Sequence, residues 1–256
     1  MATEPTTRAQ QPVRKMDVIP YLKQYEVDLK AHIPPGVSDF TFMSILDQLS
    51  HLLKDPKKGE KLRACSNESI GAAVKNCCVL GLMPGYGADT AEIYFIPMAM
   101  TLTTQISYKG LETLAFRTGR YRRIVAHAIW DTDDLETWDG SEEGVGYRYR
   151  PGKEKTTLTG AFAMIEQNDG VRYIELLSAA DIDYIEQTTR KGTTKTPAWE
   201  LWPDRMYRKT AIRALLKKLP RVGNNDLLEK AMIIDLKNDE IRMEASDPRA
   251  LASGMK

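Results

Sequence analysis

The apolar residues of this chain change their period twice, and that limits the possible folds more than any single motif. In DFTFMSILDQLSHLLKD, Phe42, Ile45, Leu46, Leu49, Leu52 and Leu53 recur at helical spacing. SNESIGAAVKNCCVLGL follows as a second helical segment, with Ser66 or Asn67 able to cap its start and Gly81 placed where helices commonly stop. After the breaker PGYG, Pro84 to Gly87, the pattern alternates. AEIYFIPM and LTTQISY read as a hairpin, and RRIVAHAIW, GYRYRP, TTLTGAFAMIEQ and VRYIELLS as further strands, with Asn168–Gly170 as a turn. KGLETLAFRTG interrupts them as a short helix ending at Gly119. Helical spacing returns at SAADIDYIEQTT, capped by Ser178. It continues, after the polar loop RKGTTKTP, in a long helix from about Ala198 to Leu219 and a last one from about Asp226 to Met243. Helices, then antiparallel strands, then helices predict an α+β fold.

A chain of 256 residues with 42% hydrophobic and 28% charged residues has enough apolar surface to bury a core. No run of about 18 apolar residues is present, which predicts no membrane span. The first fifteen residues carry too little apolar surface to offset the entropy of ordering, and are expected to form a disordered lead. Cys65, Cys77 and Cys78 are odd in number and two are adjacent, so they fit neither a disulfide framework nor a zinc site. They read as buried hydrophobes of a protein in a reducing cytosol. His32, His51 and His127 have neither metal-ligand spacing nor a nucleophile motif beside them.

Net charge is only +1, yet the charges are segregated. Asp131 to Glu143 is strongly acidic, and reads as a loop. Lys109 to Arg123 and Arg190 to Arg221 are strongly basic, which suggests one positive face. RMYRKTAIRALLKKLPR packs seven basic residues around an apolar side formed by Ile212, Leu215, Leu216 and Leu219. Arg205, Lys209, Arg213 and Lys217 form a continuous i, i+4 row, which costs an isolated helix a few tenths of a kcal/mol per pair. Either acidic neighbours or a bound polyanion must offset that cost. On the helix alone, removing Lys209 or Arg213 would relieve crowding and leave folding nearly intact. Arg208 falls inside the apolar arc and must either extend out of it or be paired. In ISYKGLETLAFRTGRYRR, Tyr108, Phe116 and Tyr121 alternate with Lys109, Arg117, Arg120, Arg122 and Arg123. Aromatics among cations suit single-stranded nucleic acid, because bases stack while cations follow phosphates.

Enzyme motifs are scarce. GLMPGYG has no Gly-Lys-Ser/Thr and is not a nucleotide-phosphate loop. DTDDLETWDG is only loosely like a calcium loop, since Leu135 occupies a ligand position. The alternative it leaves open is a metal-dependent nuclease using Asp131, Asp133, Asp134 and Glu136 with magnesium.

VLGLMPG, IYFIPM, QISYKGLETLAFRTG, WDTDDLE and W–RMYRKTAIRALLKKLP, in that order, resemble the successive signatures of the RecT family of phage single-strand annealing proteins. The resemblance covers roughly residues 16 to 222. It implies a curved antiparallel sheet with flanking helices, and a protein without cofactor or catalytic site that coats single-stranded DNA and anneals complementary strands without ATP. It further implies a homo-oligomeric ring or helical filament in the bacterial cytosol, bound to single strands and to annealed duplex, and a phage 5′-to-3′ exonuclease as partner. Lys109 falls on the lysine of the family's YKG motif. Lys209 and Arg213 fall on its KTAIR motif, and Lys217 on the basic residue that follows. The resemblance gives those four a role on the DNA backbone; charge and geometry add Arg117, Arg205 and Arg208. Residues 223–256 are then a C-terminal helix and tail, open to a partner or oligomer contact.

Overall fold

The computed structural model describes residues 17–37, 41–57, 59–85, 91–98, 100–140, 144–189, 195, 197–219 and 227–245. The expected disordered lead, the end of the long helix after Leu219 and most of the polar loop lie outside these residues. The N-terminal part is helical. It comprises α1 (Val18–Gln24), α2 (Glu26–Ala31), α3 (Phe42–Lys54), α4 (Gly59–Ala64) and α5 (Asn67–Leu80). Apolar periodicity picks out α3 and α5, while α1, α2 and α4 are too short to show it. Thr41 caps α3 and Ser66 caps α5, each accepting from a backbone N–H three residues on. Gly81 ends α5 in the left-handed region, at φ 61°, where a side chain would be strained.

The strands follow as expected, all antiparallel, but they divide into three sheets. β1 (Ile93–Met98) pairs with β2 (Thr101–Ile106), and α6 (Tyr108–Arg117) leads from this hairpin into the next strand. β3 (Tyr121–Trp130), β6 (Leu158–Gln167) and β7 (Arg172–Ser178) form the second sheet, with β6 central. Register shifts near both ends of β3 mark bulges, which bend a strand.

The third sheet corrects the sequence reading. The acidic stretch expected to be a loop contains β4 (Asp134–Gly140), paired with β5 (Gly144–Arg150). The register sets Asp134 opposite Arg150 and Glu136 opposite Arg148, and Trp138 opposite Gly146. Opposite charges directly across a ladder are stabilising. The acidic composition of one strand is thus answered by the arginines of the other.

β6 is buried on both faces, which accounts for the near-continuous apolar run GAFAMI. Ala161, Ala163 and Ile165 belong to the main core. Phe162 lies on the other face, its ring 5.0 Å from Tyr147 of β5, 5.7 Å from Tyr149 and 5.4 Å from His127 of β3. α7 (Ala179–Thr189) follows, opened by a reciprocal Ser178–Asp181 cap. α9 (Pro203–Lys218) packs across β3, β6 and β7. It buries Tyr207, Ala211, Ile212, Leu215 and Leu216, and the small Ala161 and Ala163 leave it room.

The long helix expected from about Ala198 is broken in two. α8 (Pro197–Leu201) stops before Trp202, which sits at φ −138°, ψ 58°, and α9 starts at Pro203. Proline has no N–H to continue a helix and pushes its predecessor out of the helical region, but it suits a first turn. α10 (Leu227–Ala245) closes the chain against β2, α5 and α6. All three cysteines are free and buried. Burial pushes the Cys78 thiol up to about 12 and the Cys77 thiol well up, as inert core groups require.

Candidate nucleic-acid interface

The break at Trp202 places the start of α9 over a cleft of about 450 Å³. One wall is formed by Lys57, Lys61 and Leu62 beside α3 and within α4; another by Tyr94 and Phe95 of β1. Tyr108, at the first turn of α6, and Trp202, Arg205 and Lys209 complete it. Arg205 and Lys209 thus share a cleft with two further lysines and four aromatic rings. No carboxylate is among its described lining residues. The Arg205 guanidinium carbon lies 5.9 Å from the Trp202 ring centroid, a cation–π approach.

Arg208 is paired, which resolves the conflict of a cation in an apolar arc. Its guanidinium carbon stands 5.1 Å from the Tyr108 ring centroid, and Nη2 is 3.6 Å from Asp204 Oδ2. Lys109 occupies the second position of α6, whose cap is Ser107: Ser107 Oγ accepts from Gly110 N at 3.0 Å and its hydroxyl donates to Ala91 O at 2.7 Å. Gly110 is required there, because a Cβ would run into the Glu92 carbonyl oxygen. A lysine at a helix N-terminus adds to the partial positive charge of that end, and such a place favours anions. Burial pushes the Glu112 carboxyl up, and the charges of Arg208 and Lys109 draw it back part of the way. His127 is held below the usual imidazole range, by burial first and by the Arg208 charge second.

The remaining candidates lie elsewhere. Arg213 Nη1 is 3.8 Å from Asp235 Oδ2 of α10, and that carboxylate, itself buried, accepts from Ile106 N through Oδ1 at 3.3 Å. The expectation that Arg213 can be removed without harm to folding is therefore reversed: its loss strands a buried negative charge. Lys217 is exposed near the C-terminal end of α9. Arg117 stands at the far end of α6, where Nη1 donates to Gly81 O at 2.7 Å and Leu80 O at 3.2 Å, capping α5.

The four acidic candidates do not converge. Asp133 accepts from Trp130 N at 2.9 Å, Gly152 N at 2.7 Å and Tyr149 OH at 2.8 Å. Burial raises its carboxyl, but these hydrogen bonds outweigh that and hold it below the usual range. Asp131 accepts from the Thr156 hydroxyl and from Thr157 N, and Glu136 pairs with Arg148 at 3.0 Å. Among the described residues no group of three or more His, Cys, Asp or Glu side chains could hold a metal ion.

Lys57, Lys61, Tyr94, Phe95 and Trp202 are cleft residues that the sequence reading did not single out. The run PKKGEKLR carries a visible basic signal. Nothing local in IYFIP separates a ring that lines a cleft from one that fills a core.

An α+β scaffold that gathers cations and aromatic rings into one cleft, with no carboxylate among its described lining residues, has the make-up of a single-stranded nucleic-acid binder. The RecT family model matches residues 44–242, most of the chain, and the protein belongs to that family. Membership implies single-stranded DNA binding and strand annealing in phage recombination, the work of an annealing protein and not of a classical enzyme. No curated protein matches the chain. Among the described residues no helix is long and apolar enough to cross a membrane.

Proposed function

We propose that this protein anneals complementary DNA strands without nucleotide hydrolysis, in phage homologous recombination, with the cleft at the start of α9 as the core of its DNA path. The observation that carries this reading is the convergence of Arg205 and Lys209 with Lys57 and Lys61 around aromatic rings. Lys109 continues the positive surface at the start of α6, and Lys217 extends it along α9. Arg208 and Arg213 act mainly by holding α9 in place, through Tyr108 and Asp204 in one case and Asp235 in the other. Arg117 belongs at the margin of the path, since its guanidinium also caps α5.

Phosphate contacts carry no base information, so binding is sequence-tolerant. Cations that neutralise phosphates on both strands reduce the mutual repulsion that opposes pairing. A single cleft is a short site. Copies lined up in a ring or helical filament would join many such sites into one groove and gain avidity. The DNA-binding unit, expected to end near residue 222, extends in this reading through α10, because Asp235 fixes Arg213 and the family match runs to residue 242. A 5′-to-3′ exonuclease supplying single strands is the partner this activity calls for, and the bacterial cytosol its setting.

The test is an annealing assay in EDTA without nucleotide, with Lys209→Ala beside the unaltered protein. Annealing by the unaltered chain, reduced in the variant, is the expected result. A requirement for ATP would defeat the reading, and metal-dependent cleavage of labelled DNA would favour the nuclease alternative.

A further inference from the structure

The contents of the cleft say more than that it is positive. Phosphates alone need cations on an open surface, and a rim of lysines would serve. Here the cations surround Tyr94, Phe95, Tyr108 and Trp202, and Trp202 remains 43% exposed. A large ring left in solvent beside a guanidinium gains by burial under a flat partner. The volume, about 450 Å³, lies in the usual range for pockets that enclose a small organic group, roughly 300–1,000 Å³. It is far too small for a double helix.

We infer that the cleft captures an unpaired nucleobase, stacked on Trp202 and flanked by Tyr94 and Tyr108, while Lys61 and Lys209 hold the adjoining phosphates from opposite walls. This rests on the DNA-binding reading above and adds to it the means by which a single strand is told from a duplex. In a duplex the bases are stacked inside, and one can enter the cleft only after unpairing, which costs a few kcal/mol. Stacking engages the face of a base and is tolerant of its identity, so sequence independence is kept. Once neighbouring bases pair with a complementary strand, the stack along that strand competes for the captured base.

The inference is tested by titrating the full chain with fluorescent oligo-dT and with an abasic oligonucleotide of equal length. The unaltered protein should prefer oligo-dT by about tenfold or more. Trp202→Ala should abolish most of that preference while leaving abasic binding and the salt slope unchanged, and Trp202→Phe should restore it. Lys209→Ala should weaken both oligonucleotides and flatten both salt slopes. Equal binding of the two by the unaltered protein, or equal weakening of both by Trp202→Ala, overturns base capture and leaves the DNA-binding reading standing. Failure to bind either oligonucleotide overturns both.

Discussion

The two halves of the basic row on α9 look alike in sequence and are used differently. Arg205 and Lys209 open onto a cleft without carboxylates among its described lining residues. One turn further on, Arg213 faces the buried Asp235, its own side chain only 20% exposed. Each i, i+4 step rotates about 40° around the helix axis, so a straight row in sequence winds from one neighbour to the next. The first half lines a cleft that can take a bound polyanion, and in the second Arg213 is set against a buried carboxylate. Like charges at equal spacing therefore predict a shared cost, not a shared purpose.

The largest effect that sharpens this comparison comes from the face beneath the row. Leu216 is buried against the sheet, and Leu216→Ala should destabilise the fold by about 2–5 kcal/mol through a cavity. A thermal melt would show it, and any loss of DNA affinity should follow the folded fraction. Arg213→Ala comes next, at about 1–3 kcal/mol, because a buried carboxylate loses its partner. Adding Asp235→Asn should recover part of that loss, since the amide oxygen can still accept from Ile106 N. If Arg213→Ala melts like the unaltered protein, the two halves of the row are equivalent after all.

Lys209→Ala should leave the melt nearly unchanged and act on DNA. Affinity should fall for every sequence alike, with a salt slope shallower by roughly one unit. A variant that binds as before would reduce the first half of the row to a charged surface.

The smallest expected effect is one of pH. His127 stacks on Tyr149, ring centroids 4.5 Å apart, and its folded pKa lies below the usual imidazole value. The folded state thus binds a proton less readily than the unfolded one. Its contribution is full above the ordinary imidazole pKa of about 6.5 and is lost as pH falls below that, towards the folded value. The melting temperature should drop between about pH 7.5 and about pH 5.5, and less so in His127→Phe. Equal drops in the two proteins would mean that other groups set the acid response.

The succession of helices, strands and helices, the change of period, the Ser66 and Ser178 caps and the stop at Gly81 are local matters. They depend on backbone hydrogen bonds closed within a few residues, and a sequence shows them directly. So was the basic, amphipathic nature of α9, although Pro203 cut it shorter than its periodicity alone suggests. Pairing across the chain is a different matter. Asp134–Gly140 became a strand because Arg148 and Arg150 lie opposite its carboxylates. Arg213 was claimed by a residue of α10, and Arg117 by carbonyls of α5. Lys61, Tyr94, Trp202 and Lys209 became one cleft only when the first hairpin, α4 and the start of α9 packed together. The charge and shape of each side chain are written at its own position. What that charge faces is set by long-range burial of apolar surface, which depends on the whole chain at once.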